Sequence, residues 1–191
     1  MDIALIAIVA ARSTWRFRVG TTFSRQWAMP SADTFSVKPI GDFVGRWLPK
    51  GSISADPFAR NSKLATYRND LNPQTSARWH MQAVDFLIML ADCGVEVDVL
   101  ILDPPYSPRQ ITECYAASGL KASMQDTQSA RLYRRVRDAG DALLKPGGVV
   151  LSFGWNTVGM GKSRGYSLAE VMLVCHGGAH NDTICLAERK S

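Results

Sequence analysis

Apolar residues along the chain occur in two arrangements, short continuous runs and stripes at helical spacing. The clearest run is residues 97–102 (VDVLIL), and residues 149–153 (VVLSF) form another. Runs of β-branched residues and leucine are typical of strands that are buried on both faces. Each run follows a segment with a helical stripe, and this alternation predicts a parallel sheet with helices on both faces.

Helical stripes mark separate segments of the chain. Residues 40–48 carry apolar side chains at i, i+3, i+4, i+7 and i+8 and are followed by proline and glycine, which predicts a short helix. Residues 84–91 and residues 132–144 show the same kind of stripe. The helix at residues 132–144 is predicted to stop at the sequence KPGG, residues 145–148.

The remaining segments before the C-terminus carry weaker signals. Residues 14–33 have no clean period and are predicted to be irregular, and residues 34–38 are predicted to be extended. Short strands are predicted at residues 52–55, 64–69 and 79–81.

The C-terminal part differs in character. Residues 171–175 and 183–188 flank a glycine-rich stretch, which predicts two strands joined by a loop. Because short connections join antiparallel neighbours, these strands are predicted to form an antiparallel edge pair. The predicted fold class is therefore α/β: a three-layer sandwich whose sheet is mostly parallel, with an antiparallel C-terminal edge pair.

Composition places this pattern in one compact domain. The chain has 191 residues, of which 46% are hydrophobic and 20% charged, which is enough for a core and short for two domains. Its 22 Lys and Arg against 17 Asp and Glu give a net charge of +5, which favours a polyanionic partner. No apolar run approaches the roughly 18 residues that a membrane span needs, so no membrane partner is expected.

The cysteines and the N-terminus bear on localisation. Four scattered cysteines without a CxxC pair fit a reduced, cytoplasmic setting better than a disulfide scaffold. Residues 3–11 form an apolar run as long as a signal-peptide core, but an aspartate precedes it and an arginine follows it. We interpret the run as a buried strand or an added N-terminal arm, with export as the alternative.

Candidate chemistry follows the most apolar predicted strand. Asp103, Pro104, Pro105 and Tyr106 come directly after residues 97–102, and ligands of open α/β sheets bind beyond the carboxyl ends of strands. A carboxylate and a carbonyl held rigid by prolines can accept both hydrogens of an exocyclic amino group, and a tyrosine ring can stack on a planar base. A Pro-Pro turn with Tyr106 packed at its rim is the alternative interpretation.

Together with other segments, this motif resembles the amino-methylating DNA methyltransferases, specifically the small solo adenine-N6 enzymes of phages and prophages. The resemblance covers residues 27–190. It is carried, in order, by residues 34–40 (TFSVKPI), 55–59 (ADPFA), 69–73 (NDLNP), 80–87, 102–110 (LDPPYSPRQ), 152–156 (SFGWN) and 173–188. The ordered set is more specific than any one of its members.

The resemblance implies a Rossmann-like class I methyltransferase sheet, S-adenosylmethionine (AdoMet) as methyl donor, S-adenosylhomocysteine as product, and no metal. It also implies that Asp103, Pro104, Pro105 and Tyr106 are catalytic. A flipped adenine would stack near Tyr106, with its N6 hydrogens bonded to the Asp103 carboxylate and the Pro104 carbonyl. Since N6 attacks the methyl group directly, no covalent enzyme intermediate is required.

A cofactor site assembled from several segments is also implied. The implied cofactor-binding residues are Phe35, Lys38, Pro39, Asp56, Pro57, Phe58, Ala59, Asp70 and Gln82. Asp70 is expected to accept hydrogen bonds from the ribose hydroxyls. Two positions depart from the family: residues 60–62 (RNS) replace the usual glycine-rich continuation, and Gln82 stands where an acidic residue near the cofactor adenine is common.

Contact with DNA, expected to be double-stranded, is assigned to five side chains. Arg109, Gln110 and Lys121 follow the catalytic motif, and Lys162 and Arg164 lie in a glycine-rich loop. An arginine cluster at positions 131, 134, 135 and 137 is interpreted as a solvated helix face instead.

The predicted organisation is an irregular N-terminal arm, residues 1–26, and a single methyltransferase domain, residues 27–191. The domain has no room for a recognition module, so specificity is expected to be short, relaxed or supplied by a second subunit. A homodimer is therefore an alternative to a monomer.

Competing interpretations remain for other features. Residues 156–163 (NTVGMGKS) nearly match a phosphate-binding P-loop, but Asn156 stands at the required first glycine. Cys175, His176 and His180 lack an evident fourth metal ligand. Cytosine-N4 or an RNA base amino group is the alternative substrate, and a catalytically silent nucleic-acid-binding module with the same fold is the alternative outside the enzyme class.

Overall fold

The computed structural model describes residues 20–123, 129–156, 159–178 and 180–191. The apolar run at residues 3–11, predicted to be a strand or an arm, lies outside these ranges. Within the described residues, no helix combines the length and the apolar composition that crossing a membrane requires.

One mixed sheet with helices on both faces forms the molecule. Its strands are β1 (Thr22–Trp27), β2 (Ser54–Asp56), β3 (Tyr67–Arg68), β4 (Val97–Leu102), β5 (Leu144–Gly154), β6 (Tyr166–Cys175) and β7 (Thr183–Lys190). The helices are α1 (Lys38–Trp47), α2 (Ala83–Asp92), α3 (Pro108–Ala117) and α4 (Ser129–Leu143), with short 3-10 turns at Thr34–Ser36 and Lys162–Arg164.

The strand order is β1-β6-β7-β5-β4-β2-β3. Strand β7 runs antiparallel to both β5 and β6, and the other neighbours pair in parallel. This arrangement confirms the predicted α/β class with its antiparallel C-terminal pair. It also places the carboxyl ends of β2, β4 and β5 at the same end of the sheet, where ligands of such sheets bind.

The core lies on both sides of β4. Leu100 and Leu102 pack toward the layer that contains α2 and α4, whereas Val99 and Ile101 pack toward the layer that contains α1. Leu100 and Ile101 have no exposed surface. A strand with apolar residues on both faces matches the continuous run in the sequence, and it fixes the position of the residue that follows, Asp103.

The first described strand departs from the prediction that residues 14–33 are irregular. Residues 22–27 form β1, which pairs in parallel with β6 at the edge of the sheet. None of its residues is buried, and Phe23 and Trp27 are 69% and 64% exposed. Backbone pairing and a hydrogen bond from the Arg25 side chain to Sγ of Cys175 over 3.1 Å hold this strand. Because it has no buried apolar face, it leaves no alternating apolar signal in the sequence.

Other predicted elements differ in extent. Residues 34–38, predicted to be extended, form a 3-10 turn and the start of α1, since Pro39 suits the first turn of a helix. The strand predicted at residues 64–69 is limited to Tyr67–Arg68, and residues 79–81 make only one bridge, between Asn69 and Trp79. Strand β5 begins at Leu144, the last residue of the predicted helix, and runs through residues 145–148, which were predicted to be a stop. Gly147, at φ +76°, lets the chain continue in the sheet.

Candidate active site

Asp103 directly follows β4 at the carboxyl end of the sheet. The Tyr106 hydroxyl donates a hydrogen bond to Oδ1 of its carboxylate. Burial raises the pKa of Asp103, while hydrogen bonds from Tyr106 and Thr34 and the charge of Arg60 act to lower it. Burial and the Asp103 charge raise the pKa of Tyr106 well above its usual range, so this hydroxyl stays protonated and can donate.

The turn formed by residues 103–106 is held by hydrogen bonds from several directions. The Tyr106 backbone N–H donates to Oε1 of Gln110 over 2.6 Å. Ser107 caps α3, with its hydroxyl accepting from the Gln110 backbone N–H over 3.2 Å. The Tyr133 hydroxyl, from α4, donates to the Pro105 carbonyl. The turn that carries Asp103 is therefore fixed before any ligand binds.

A cleft with aromatic walls opens beside this motif. The rings of Tyr106 and Trp155 lie 5.6 Å apart at 64°, and Tyr133 and Pro104 also line the cleft. Arg137 of α4, which is half-buried, contributes a cation to the same cleft. Sequence reasoning missed the roles of Tyr133, Trp155 and Arg137, although Trp155 belongs to a segment that carries the family resemblance. Aromatic walls next to a hydrogen-bond acceptor suit a planar ligand with an amino group.

Asp56 ends β2 and has no exposed surface. Its Oδ1 atom accepts from the Phe58 backbone N–H over 2.9 Å, whereas Oδ2 is buried and has no hydrogen-bond partner among the described residues. Burial raises the pKa of Asp56 well above its usual range, and the charges of Asp103 and Asp70 add to this effect. A buried carboxylate oxygen without a partner fits a ligand that brings its own donor.

Asp70 follows β3 and is already engaged by the backbone. Its Oδ2 accepts from the Arg60 N–H over 3.1 Å and its Oδ1 from the Asn72 N–H over 2.9 Å. Each oxygen retains a further lone pair, so the carboxylate can still accept from a vicinal diol.

Asn69 is a positioning residue that sequence reasoning did not identify. It has no exposed surface, and its side-chain amide donates to the carbonyls of Pro57 over 3.1 Å and Met81 over 2.9 Å. Its Oδ1 atom accepts from the Met81 N–H over 3.1 Å. These bonds tie the turn after β2 to the segment before α2. The available signal was a polar residue at the end of the strand predicted at residues 64–69.

The other predicted cofactor residues have partners within the protein. Phe35 packs edge-on against Phe153 with ring centroids 5.3 Å apart. Exposed Lys38 forms an ion pair with Asp42 over 2.6 Å. Gln82 exchanges hydrogen bonds with the Tyr115 hydroxyl of α3, the shorter of them 3.0 Å long. Pro57 and Ala59 are buried in the turn after β2, where Phe58 is partly buried, and Pro39 lies in the first turn of α1.

The predicted DNA-contact residues divide into two groups. Lys121 and Lys162 are exposed, and exposed Arg109 pairs only with Glu113 of its own helix over 2.8 Å. Arg164 instead binds Asp138 of α4 over 2.6 Å, and the Gln110 side-chain oxygen is bonded to the Tyr106 N–H as described above. Gln110 therefore supports the turn that carries Asp103, and Arg164 ties the loop after β5 to α4.

The stretch that resembles a P-loop binds the side chain of Glu188. The backbone N–H groups of Met160 and Gly161 donate to the Glu188 carboxylate over 2.5 and 3.0 Å. Glu188 belongs to β7 and is 5% exposed. The carboxylate stands where a phosphate would be expected in a P-loop, which agrees with the departure of Asn156 from that motif.

Replacing Asp56 with asparagine is expected to raise the free energy of unfolding at neutral pH by about 1–3 kcal/mol, because it removes a buried carboxylate whose Oδ2 has no hydrogen-bond partner among the described residues. The folded-state pKa of Asp56 is raised, so the wild type loses stability as pH rises from the unfolded value toward the folded one. The gain should therefore vanish below pH 3.8, the ordinary pKa, where both proteins are neutral at this position. Urea unfolding at several pH values measures the difference in unfolding free energy between Asp56→Asn and the wild type. A difference that is constant with pH would contradict the role of the Asp56 charge.

Comparisons with known proteins bear on the fold. No protein-family model and no curated protein matches the sequence. The structure is similar to TrmN from Thermus thermophilus, with a TM-score of 0.54 and 18% identity over 81% of this chain and 49% of TrmN. It also resembles NSun6 from Pyrococcus horikoshii with SFG (TM-score 0.49, 15% identity, 76% of this chain and 50% of that one).

A methyltransferase homolog protein from Pyrococcus horikoshii is also similar, with a TM-score of 0.42 and 14% identity over 90% of this chain and 62% of that one. The chain spans about half the length of TrmN and NSun6. At 18% identity the similarity to TrmN shows the fold alone, a Rossmann-like α/β sheet.

Proposed function

We propose that the protein transfers a methyl group from AdoMet to the exocyclic N6 amino group of adenine in double-stranded DNA. The observation that carries the proposal is the Asp103 carboxylate, placed at the end of β4 beside a cleft with aromatic walls. The choice of adenine and of its N6 atom comes from the family resemblance of the Asp-Pro-Pro-Tyr motif. The methyltransferase fold supports the reaction class.

The described residues fit the proposed cofactor. Asp56 offers an unpartnered carboxylate oxygen to an ammonium group, and Asp70 offers free lone pairs to ribose hydroxyls. When bound, AdoMet supplies an electrophilic methyl group on a sulfonium, which leaves as a neutral thioether. Asn69 maintains the spacing between these two acidic positions by bonding to the turns on both sides.

In the proposed reaction, the flipped adenine enters the cleft that Tyr106, Tyr133 and Trp155 line. One N6 hydrogen bonds to Asp103, after the Tyr106 hydroxyl has left that carboxylate, and the other bonds to the Pro104 carbonyl. The N6 lone pair is then directed at the methyl carbon, and the proton that N6 releases on alkylation passes to Asp103. The raised pKa of Asp103 favours this acceptance.

For the DNA partner, three exposed cations are assigned to the phosphate contacts. Arg109 and Lys121 follow the catalytic motif, and Lys162 lies in the loop after β5. Arg164 is assigned to positioning because of its bond to Asp138. A chain of this size has limited surface with which to hold and bend a duplex, so a homodimer on DNA is part of the proposal.

Product analysis tests the proposed function. The protein is incubated with isotope-labelled AdoMet and a duplex DNA, its single strands, or an RNA of the same sequence, and the products are digested to nucleosides for mass spectrometry. The expected product is N6-methyldeoxyadenosine from the duplex. Methylated cytidine or a methylated ribonucleoside would replace the proposed substrate, and no label in any nucleic acid would overturn the enzyme assignment.

Replacing Tyr133 with phenylalanine is expected to lower kcat about 2- to 12-fold, because the Pro105 carbonyl loses one donor worth about 0.5–1.5 kcal/mol and the catalytic turn loosens. AdoMet binding, measured by calorimetry, should not change, since Tyr133 lines only the cleft beside Pro104. If AdoMet affinity fell by the same factor as kcat, Tyr133 would not act only on the cleft that is proposed to bind the adenine.

A further inference from the structure

Arg60 is the one non-glycine residue with positive φ in the described part of the chain, at +47°. A side chain in this left-handed region costs conformational energy that glycine does not incur. Arg60 lies in the turn after β2, at the point where the family resemblance leads one to expect glycine. The arginine therefore occupies a position at which its backbone conformation is unfavourable.

Contacts of both the backbone and the side chain hold Arg60 in place. Its N–H donates to Oδ2 of Asp70 over 3.1 Å, and its guanidinium donates to the carbonyl of Ala32. The side chain thus spans from the turn after β2 to the segment that precedes the 3-10 turn Thr34–Ser36. The 3-10 turn itself contributes Thr34, which acts to lower the pKa of Asp103.

The electrostatic surroundings of Arg60 are strongly acidic. The charges of Asp103 and Asp70 raise the pKa of Asp56 at this end of the sheet, and Asp33 raises the pKa of Asp103. Arg60 is the cation that opposes these effects at Asp103. A negatively charged ligand group could not enter such a site without a cation beside it.

We propose that the Arg60 guanidinium binds the α-carboxylate of the amino-acid end of AdoMet. The inference rests on the proposed function and extends it to one residue that departs from the family pattern. A zwitterionic amino acid needs an acceptor for its ammonium and a donor for its carboxylate, and Asp56 and Arg60 offer them at the two ends of one turn. A guanidinium can hold a carboxylate through two parallel hydrogen bonds.

Binding measurements with two ligands test the inference. S-adenosylhomocysteine carries the amino-acid end, and methylthioadenosine has the same nucleoside and thioether without it. Arg60→Gly and Arg60→Asn both remove the charge and keep a residue that tolerates positive φ. Lys63→Ala, in the same exposed loop, is the control for a general loss of positive charge.

For both Arg60 variants we expect the Kd of S-adenosylhomocysteine to rise about tenfold or more, which corresponds to about 1.4 kcal/mol or more. The Kd of methylthioadenosine should change less than about twofold, and the Tm of Arg60→Gly should not fall, since glycine removes the backbone strain. Lys63→Ala should bind both ligands as the wild type does.

The outcomes separate this inference from the function on which it rests. If the wild type binds neither ligand, the cofactor assignment fails. If the wild type binds S-adenosylhomocysteine and the Arg60 variants bind it equally well, or lose both ligands in parallel, the role of Arg60 is wrong while the function stands.

Discussion

Replacing Asp103 with alanine is expected to lower kcat for methyl transfer about 10²–10⁴-fold, the range typical of a lost proton acceptor. The alanine variant leaves N6 without its carboxylate partner and releases the Tyr106 hydroxyl from its bond. Calorimetric binding of S-adenosylhomocysteine should weaken far less, because the proposed cofactor contacts lie at Asp56, Arg60 and Asp70. Equal methyl transfer by the variant and the wild type would show that Asp103 is not catalytic.

The pH dependence of Asp103→Asn adds an independent measurement. Asp103 must be ionised to accept from N6, so wild-type activity should fall as pH falls through its pKa. Burial raises that pKa above 3.8, the ordinary value, which moves the acid limb of kcat/KM to higher pH. Asparagine still accepts one N6 hydrogen but does not titrate, so this variant should be slower and should lack the limb. An unchanged limb in Asp103→Asn would assign the titration to another group.

A second large effect is expected from Gly159→Ala, which should lower the free energy of unfolding by about 2–4 kcal/mol. A Cβ at this position would lie 2.0 Å from Oε2 and 2.6 Å from Cδ of Glu188. Glu188 is buried and bonded to the Met160 and Gly161 backbones, so it cannot move aside without losing both hydrogen bonds. The loop that follows Trp155 should be displaced, and kcat should fall together with stability.

The matched control is Gly45→Ala, on the exposed face of α1, where an added Cβ meets nothing within 4 Å. This substitution should stabilise the protein by about 0.5–1 kcal/mol, since alanine is the better helix former. The double variant Gly159→Ala with Glu188→Ala separates the two causes. If the clash dominates, the double variant should lose less unfolding free energy than the two single variants lose together. A loss equal to that sum would show that the clash with Glu188 is not the cause.

The sequence predicted best the elements that bury a continuous apolar run or a continuous apolar face. Residues 97–102 were predicted as a buried strand, and β4 has the same bounds because both of its faces are covered. Helix α1 was predicted from one continuous apolar stripe and differs by only one or two residues at its ends. The Asp-Pro-Pro-Tyr motif could be located because it directly follows β4 and carries a recognisable set of residue types.

The parts that sequence missed depend on contacts between distant positions. Tyr133 and Pro105 are 28 residues apart, as are Met160 and Glu188. Neither pair leaves a local period, and a tyrosine or glutamate at such a site looks like any other surface residue in the sequence. Asn69 was assigned to a strand and keeps one backbone bridge, to Trp79, but its side chain bonds to Pro57 and Met81, which no sequence pattern indicates. Strand β1 was missed because none of its side chains is buried.

The peptide between Leu102 and Asp103 is a possible junction for chimaeric proteins. The residues proposed to hold the cofactor all precede the Leu102–Asp103 peptide, whereas Tyr106, Tyr133 and Trp155 all follow it. A recombinant joined at this peptide would therefore exchange the base-binding half between two enzymes and retain the cofactor half. The pair between Gln82 and Tyr115 crosses the junction, so both parents of such a chimaera should carry compatible residues at these two positions.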